Sequence, residues 1–292
     1  MLSLHTNAAA MNIQKAIGNN RANLNTTMTR LGTGHRINSA KDDAAGLQIA
    51  VRLQAQTRGM GVAMQNTQNA SSMLQTADGA MNEVTNILYR MKDLATQAAD
   101  GSSSKEDKDA MQAEFDALGK ELANIMTNTS YGGAKLFGKE ATAPSGKLGT
   151  ELSFQIGASK DETMKFSVKD ELIKVNTALD AASGLFKDPT SATAGTELTA
   201  TANATIGLLE TALGAVGTTR SAIGAGENRL GHVYNNLGNM SMNTADAEGR
   251  IMDADMATES AKMSSQQVLM QAGMAMLKQT SSMNQMVLSL IQ

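Results

Sequence analysis

The 292-residue chain contains no cysteine and no tryptophan, and it has only two prolines, Pro144 and Pro189. Without cysteine the fold has neither disulfides nor thiolate metal ligands. Both prolines lie near the middle, so about 140 residues before them and about 100 after them carry no obligate helix breaker. The chain therefore predicts two long helical arms around a less regular centre.

Aromatic residues make up only 3% of the chain, and the net charge is −3. The aromatics all lie between Tyr89 and Tyr234, so neither end offers stacking platforms for single-stranded nucleic acid. No apolar run is long enough to span a bilayer, and residues 1–14 lack the basic start and apolar core of a cleaved signal peptide. We expect no nucleic-acid partner and no membrane partner. Composition alone favours a cytoplasmic protein.

The residue patterns of catalytic and metal sites are also missing. The histidines, His5, His35 and His232, are scattered without metal-ligand spacing. Asp253 and Asp255 are predicted on a helix, where residues two apart point in different directions and do not form a carboxylate pair. No G-x-S-x-G motif supplies a nucleophile. We expect no catalytic residue, no metal, no cofactor and no enzymatic activity.

Apolar residues at helical spacing dominate the N-terminal arm. A seven-residue series, with two residues that widen it, consists of Ala10, Ile13, Ile17, Leu24, Met28 and Leu31. It predicts a seam for a partner helix. A second, longer helix is predicted after residue 38, capped by Ser39 with Asp42 in its first turn. Its clearest part alternates spacings of three and four, at Leu74, Ala77, Met81, Val84, Leu88, Met91, Ala95 and Ala98.

A third helix is predicted from Ser104 as cap to about Thr129, antiparallel to the second. Its apolar face comprises Met111, Phe115, Leu118, Leu122 and Ile125. The centre then changes pattern. Residues 152–156 and 164–168 alternate apolar with polar, which predicts a β-hairpin, and residues 188–195 predict a surface loop.

Helical spacing resumes at about Ala200, with a seam at Ile206, Leu209, Leu213, Val216, Ile223, Leu230, Tyr234 and Leu237. Arg220 and Glu227 occupy seam positions; either they reach solvent at its edge or they set register against a neighbour. Glycine recurs beside the seam at Gly217, Gly224, Gly231 and Gly238. Each glycine costs about 1 kcal/mol in a helix relative to alanine. We hypothesise that another helix approaches this stripe closely.

The last segment, from Ile251, carries a broad apolar face. One seven-residue series is Met256, Met263, Met270, Leu277 and Ile291, with the polar Asn284 in register, and a parallel row is Leu269, Met276, Met283 and Leu290. This face is wider than a two-helix seam requires, so an isolated monomer should not hold it in stable, exposed form.

The two ends also differ in charge. Residues 1–41 carry basic side chains and no acid, whereas Asp253, Asp255 and Glu259 open the last segment. Opposite charges favour pairing between the ends, within or between subunits; the alternative is that each is a solvated face.

Three stretches resemble bacterial flagellins. The sequence LGTGHRINSAKDDAAGLQIA at 31–50 resembles their N-terminal signature. RIMDADMATE at 250–259 and VLSLIQ at 287–292 resemble the C-terminal one, and YGGAKLF at 131–137 resembles the motif before the central hairpin. The resemblance covers about residues 1–140 and 200–292. His35, Gly132 and Ile291–Gln292 depart from the usual family residues.

The resemblance implies a mainly α fold: an elongated coiled coil of the N- and C-terminal helices, and a helical bundle shell with a small central β-hairpin region. The implied domains are an inner-tube coiled coil (1–40 and 251–292), a helical shell (41–138 and 200–250), and a β-hairpin with a small outward-facing insert (139–199).

The implied function is that of a structural subunit, exported unfolded through the flagellar type III apparatus and polymerised at the tip of an extracellular motility filament. Implied partners are other flagellin subunits, an export chaperone at the C-terminal segment, and the filament cap and hook-junction proteins. Self-assembly is assigned to Ile13, Ile17, Leu24, Met28, Leu31, Met263, Met270, Leu277 and Leu288.

The resemblance also implies recognition by a flagellin-sensing Toll-like receptor through Arg90, Leu94, Gln97 and Glu114. The alternative is that Arg90 and Glu114 are ordinary helix-surface charges. Two other functions stay open beside the filament subunit. One is a hook–filament junction protein, and the other is an enzyme or regulatory coiled-coil adaptor.

Overall fold

The computed structural model describes residues 7–140, 145–188 and 195–291, with side chains up to Met283. These residues are mainly helical, as predicted. The helices are α1 (Ala8–Thr33), α2 (Ala44–Ala99), α3 (Lys105–Asn128), α4 (Lys169–Ala182), α5 (Gly184–Lys187), α6 (Ala202–Met252) and α7 (Met256–Ile291). The strands are β1 (Ser130–Tyr131), β2 (Ala134–Lys135), β3 (Leu152–Gln155) and β4 (Thr163–Phe166), paired as β1–β2 and β3–β4.

Contacts divide the chain into two compact units. Unit 1 is drawn from residues 1–57 and 242–292, and unit 2 from residues 58–241. The long helices α2 and α6 belong to both. Each unit therefore has its own packing and is described separately.

Unit 1 contains the paired helices α1 and α7 and the two connectors that join them to α2 and α6. The side chain of Asn7 caps α1 by accepting a hydrogen bond from the Ala10 N–H. Gly34 ends the helix with φ of 76°, a left-handed conformation that glycine adopts without steric cost. The connectors then run side by side, because the Arg36 N–H donates to the Met252 carbonyl and the Ala254 N–H donates to the Gly34 carbonyl.

The predicted start of the second helix was wrong. The Asp42 carboxylate accepts bonds from the Asn38 N–H and from the N–H and hydroxyl of Ser39, which closes a turn before the helix. Asp43 is the capping residue, since its carboxylate accepts from the Gly46 N–H at 2.8 Å. Asp42 thus closes the turn before the helix, and the adjacent Asp43 caps the helix.

The core of unit 2 confirms the helical spacing of its long segments. All eight predicted core positions of α2, from Leu74 to Ala98, have no exposed surface. Phe115 and Leu122 of α3 and the seam of α6 pack against them. The Ser104 cap of α3 is confirmed, and Asp107 completes a reciprocal capping box with it.

The predicted hairpin is confirmed as β3–β4, with Leu152 opposite Phe166 and Phe154 opposite Met164. The helix α4 that follows it was not predicted, although Leu172, Val175 and Leu179 recur at helical spacing and are fully buried. Much of the predicted loop at 188–195 lies outside the described residues.

Polar side chains tie the centre of the chain to the helices. Asn176 is fully buried and donates to the carbonyls of Gly138 and Glu140. Gln112 donates to both Asp116 and Glu197 and accepts from the Leu198 N–H. Burial, together with the Glu197 carboxylate, raises the pKa of Asp116.

Candidate functional site

The seam between α1 and α7 is the most extensive helix pairing in unit 1. Ile17 fits against Gly273, where an added Cβ would lie 2.9 Å from the Ile17 Cγ1. The Asn20 side chain donates to the Gln266 carbonyl at 2.7 Å. A glycine opposite an isoleucine lets the two backbones approach closely. The absence of a side chain at Gly273 thus helps to fix the register between α1 and α7.

Most residues assigned to self-assembly lie in this seam. Leu24 is buried, and half-buried positions are held by Ile13, Ile17, Leu31, Met263, Met270 and Leu277. Their placement shows that they pair the two ends of a single subunit. Leu288 lies outside the described side chains, and the role of these residues between subunits stays a prediction.

Further apolar residues lie on the sides of the same two helices that face away from the seam, and they are exposed to solvent. We call these sides together the outer face; their exposed apolar residues are Met11 and Met28 on α1 and Met256, Val268, Leu269, Met274, Met276 and Met283 on α7. Met28 is 54% exposed, Leu269 59% and Met276 60%. Scattered exposed apolar residues are ordinary in proteins, but Leu269, Met276 and Met283 recur every seven residues along one side of α7, and such a row marks an interaction surface.

One ion-pair cluster joins α1 to α7. The Glu259 side chain is only 6% exposed, lies 3.5 Å from an Arg30 nitrogen and accepts a bond from the Lys262 ammonium at 2.8 Å. The Lys262 hydrogen bond, with Arg30 nearby, holds the pKa of Glu259 below its ordinary value. His35 and Asp253 form a second contact, 3.4 Å apart, between the connectors. Charge pairing between the ends therefore occurs within the subunit.

Acidification is expected to weaken the pairing of α1 with α7. The pKa of Glu259 in the folded chain lies below its ordinary value of 4.5. The ionised carboxylate therefore contributes its full stabilisation of the helix pair at pH values above 4.5. The stabilisation is lost as the pH falls through the lowered pKa. Asp255 acts in the same direction, because the Thr258 hydroxyl and the backbone N–H groups of Thr258 and Ala257 lower its pKa.

The pH dependence is measurable because the chain has no native cysteine. Spin labels on cysteines introduced at Arg21 and Ser265, both exposed, report the distance between α1 and α7 during an acid titration. The matched control is Glu259→Gln, which should pair more weakly at neutral pH and change less on acidification. Equal titration curves for the two proteins would contradict the assignment.

Asp253 and Asp255 do not lie on a helix, contrary to the sequence prediction. They occupy the connector between α6 and α7, and the Asp255 carboxylate accepts bonds from the Ala257 and Thr258 N–H groups. Asp255 therefore begins α7, and Asp253 faces His35. Capping accounts for Asp255, and the contact with His35 accounts for Asp253.

Arg220 and Glu227 behave differently from one another. The Arg220 guanidinium makes a bidentate contact with Asp78 and a bond to Asn82, which joins α6 to α2. Glu227 has no hydrogen-bond partner for its buried Oε1, and burial, with Asp78 nearby, raises its pKa. Arg220 thus sets register inside the chain. Glu227, unlike Arg220, keeps a buried carboxylate oxygen without a hydrogen-bond partner among the described residues.

The seven-residue glycine stripe of α6 is open on its outer side. An added Cβ at Gly217, Gly224, Gly231 or Gly238 would meet no atom within 4 Å. By contrast, Gly226 packs against the Phe166 ring, 2.6 Å from the position of its missing Cβ. Contacts among the described residues therefore explain why glycine is needed at position 226, but they do not explain the four glycines of the stripe. A close helix at the stripe stays a hypothesis.

The described residues hold no candidate metal site, since no group of three or more of their His, Cys, Asp or Glu side chains is arranged to hold a metal ion. No helix in that part of the chain has an apolar stretch long enough to cross a membrane. The structural features of unit 1 are those of a helix pair with an uncovered apolar face.

Comparison with known proteins decides the family. The model of the bacterial flagellin N-terminal helical region matches residues 4–142, and that of the C-terminal helical region matches residues 206–291. Together the two matches cover most of the sequence. The chain belongs to the bacterial flagellin family.

Curated relatives are flagellins of Vibrio. Flagellin C of Vibrio cholerae is 47% identical over 169 residues, which is 58% of this chain and 43% of the relative. Flagellin D of Vibrio anguillarum is 42% identical over 214 residues, which is 72% of this chain and 55% of the relative. The chain thus spans about half the length of these relatives.

A solved structure described as a flagellar hook-associated protein from Vibrio parahaemolyticus shares the fold. It is 18% identical, with a TM-score of 0.56 over 73% of this chain and 100% of that chain. At this identity the likeness concerns the fold alone.

The four residues assigned to receptor recognition lie on the α2–α3 side of unit 2. Arg90 and Glu114 are exposed and form an ion pair, with 2.7 Å between the Arg90 Nη2 and the Glu114 Oε1. Gln97 is exposed. Leu94 is 2% exposed and belongs to the core, so the folded flagellin does not present it for direct contact.

Proposed function

We propose that this chain is the structural subunit of a helical flagellar filament used for motility. The proposal is supported by the chain's membership of the bacterial flagellin family and by curated relatives that are named flagellins. The observation that carries the proposal is the outer face of α1 and α7, which is apolar and exposed in a single subunit. A subunit is a structural protein, and no catalytic step is assigned to it.

Burial of the outer face by further copies supplies the driving force for assembly. Apolar surface removed from water contributes roughly 25 cal/mol per Å², and each copy presents the same row of residues. A contact between two different patches that repeats without closing a ring generates a helical filament. The α1–α7 pair thus becomes stably covered only inside a polymer, which couples its ordering to assembly.

Seeded growth tests this proposal. Purified full-length chain is mixed with sheared filament fragments, and the sedimented fraction is measured over time. A filament subunit elongates the seeds continuously, in proportion to the supplied chain. A protein that stays soluble is an adaptor or an enzyme. One that adds to seed ends once and then stops is a junction protein. Either result would refute the proposal.

Before assembly, the exposed apolar residues of the outer face must be shielded from water by another protein. We propose that an export chaperone binds the α7 segment (Met256–Ile291) in the cytoplasm, because this helix carries most of the exposed apolar row. Export through the flagellar type III apparatus then delivers the chain to the cell exterior. Growth at the tip beneath a cap protein, on a base of hook-junction proteins, completes the proposed route.

A Toll-like receptor that senses flagellins is proposed to contact Arg90, Gln97 and Glu114. Arg90→Ala is expected to lower receptor signalling at least about tenfold, as loss of an interfacial arginine anchor does. The matched control is Lys92→Ala, which removes another charge from α2; Lys92 is paired with Glu210 of α6. A reporter-cell assay with purified chain compares them. Unchanged signalling by the Arg90 variant would remove the support for this partner.

A further inference from the structure

Methionine side chains are distributed unequally between the two units. Among the described residues, the buried ones all lie in unit 2, at Met60, Met73, Met81, Met91, Met126 and Met164. Apart from Met240, the exposed ones lie in unit 1, at Met11, Met28, Met242, Met256, Met274, Met276 and Met283. The thioethers that solvent reaches are therefore concentrated away from the core of unit 2.

On α7 these thioethers form part of the outer face. Met276 and Met283 continue the seven-residue row that begins at Leu269, and all three are more than half exposed. After Lys262 the only charged side chain of the helix is Lys278. A soluble oxidant therefore reaches these sulfurs in the free subunit, because Met276 and Met283 are more than half exposed.

We propose that the exposed methionines of α7, namely Met256, Met274, Met276 and Met283, are an oxidation site through which peroxide prevents the subunit from adding to a filament. The inference rests on the proposed function. The thioether sulfur attacks one oxygen of hydrogen peroxide, an S–O bond forms and the O–O bond breaks. The sulfur loses two electrons to become a sulfoxide, and the peroxide is reduced to water.

The consequence differs between the free and the assembled subunit. A sulfoxide is polar and accepts hydrogen bonds, and in the free subunit water satisfies it. Against an apolar neighbour it loses that water, and Val268 and Leu269 offer no side-chain donor in exchange. Because the methionines of the unit 2 core are buried, the same treatment leaves that core unmodified. Oxidation of the exposed methionines therefore acts on assembly and leaves the core of unit 2 folded.

The test treats full-length free subunits with hydrogen peroxide and maps the added oxygens by peptide mass spectrometry. Seed elongation is then compared with that of the untreated sample. Oxidation of α7 is expected to slow elongation at least about tenfold. Treatment with the two methionine sulfoxide reductases should restore the rate, since each reduces one sulfoxide epimer. Untreated chain that fails to elongate seeds would instead refute the proposed function itself.

Two variants assign the effect to α7, each compared with its own untreated sample. Replacing Met276 and Met283 by leucine conserves apolar volume and removes the sulfurs, so the loss on oxidation should become smaller. Replacing Met240 and Met242 of α6 by leucine should leave the loss unchanged. The inference is overturned if oxidised wild-type chain elongates seeds at the untreated rate, or if the α6 variant is the protected one.

Discussion

Glutamate at Leu269 and Met276 is expected to abolish seed elongation while the core of unit 2 stays folded. Both side chains lie on the outer face and touch no core cluster in the free subunit. Glutamate is a good helix former, so α7 is retained. In a polymer, however, two charges per subunit would be taken out of water without partners, which costs several kcal/mol each. Sedimentation with seeds measures the loss, and near-native circular dichroism and melting check the fold.

The matched control places the same charges on another row of the same helix. Ser264 and Gln271 are exposed, are also seven residues apart, and are already polar. Glutamates at these two positions give the same net charge and comparable helix propensity, and elongation should be reduced far less. If both double variants lose elongation equally, net charge and not the row of Leu269 and Met276 is responsible, and the proposed surface is wrong.

Gly146→Ala is expected to lower the free energy of unfolding of unit 2 by about 2–3 kcal/mol, the usual cost of overpacking a tight site. Gly146 is buried, and an added Cβ would collide with the backbone of Leu136 and Phe137. The same segment is held by a bond from the Leu148 N–H to the Leu136 carbonyl at 3.0 Å. Backbone atoms move less readily than a side-chain tip, so the strain is not relieved locally.

Denaturant unfolding followed by circular dichroism measures the change. Gly101→Ala is the control, since an added Cβ there meets nothing within 4 Å and its φ is not positive. Its free energy of unfolding should stay close to that of the wild type. A Gly146 variant as stable as the Gly101 variant would show that the segment at 145–149 is not tightly packed against residues 136–138.

Spacing along the sequence was enough to place the long helices and most of their core. The eight positions of α2 from Leu74 to Ala98 are buried because a helix repeats every 3.6 residues, whatever lies opposite. The alternation of apolar with polar residues likewise predicted the β3–β4 hairpin. Local chemistry also identified Ser104 as a cap, since a cap acts within one turn.

Choices between neighbouring residues were harder to predict. Ser39, Asp42 and Asp43 are all capping residue types, and only the path of the turn selects Asp43 for α2. Likewise Asp253 and Asp255 were placed on a helix, because nothing in their local sequence excludes one. The connectors pair with each other through bonds such as Arg36 N–H to the Met252 carbonyl, and that long-range contact ends α6.

The sequence by itself determined that this chain has two helical arms with more apolar surface than one helix pair can bury, together with the motifs that place it in its family. The tertiary structure decided how that surface is divided. Ile17, Leu24, Met263 and Met270 are used within the subunit, whereas Leu269 and Met276 remain exposed. The physical reason is that periodicity fixes which residues share a face, but only the packing of a partner helix selects which face is covered.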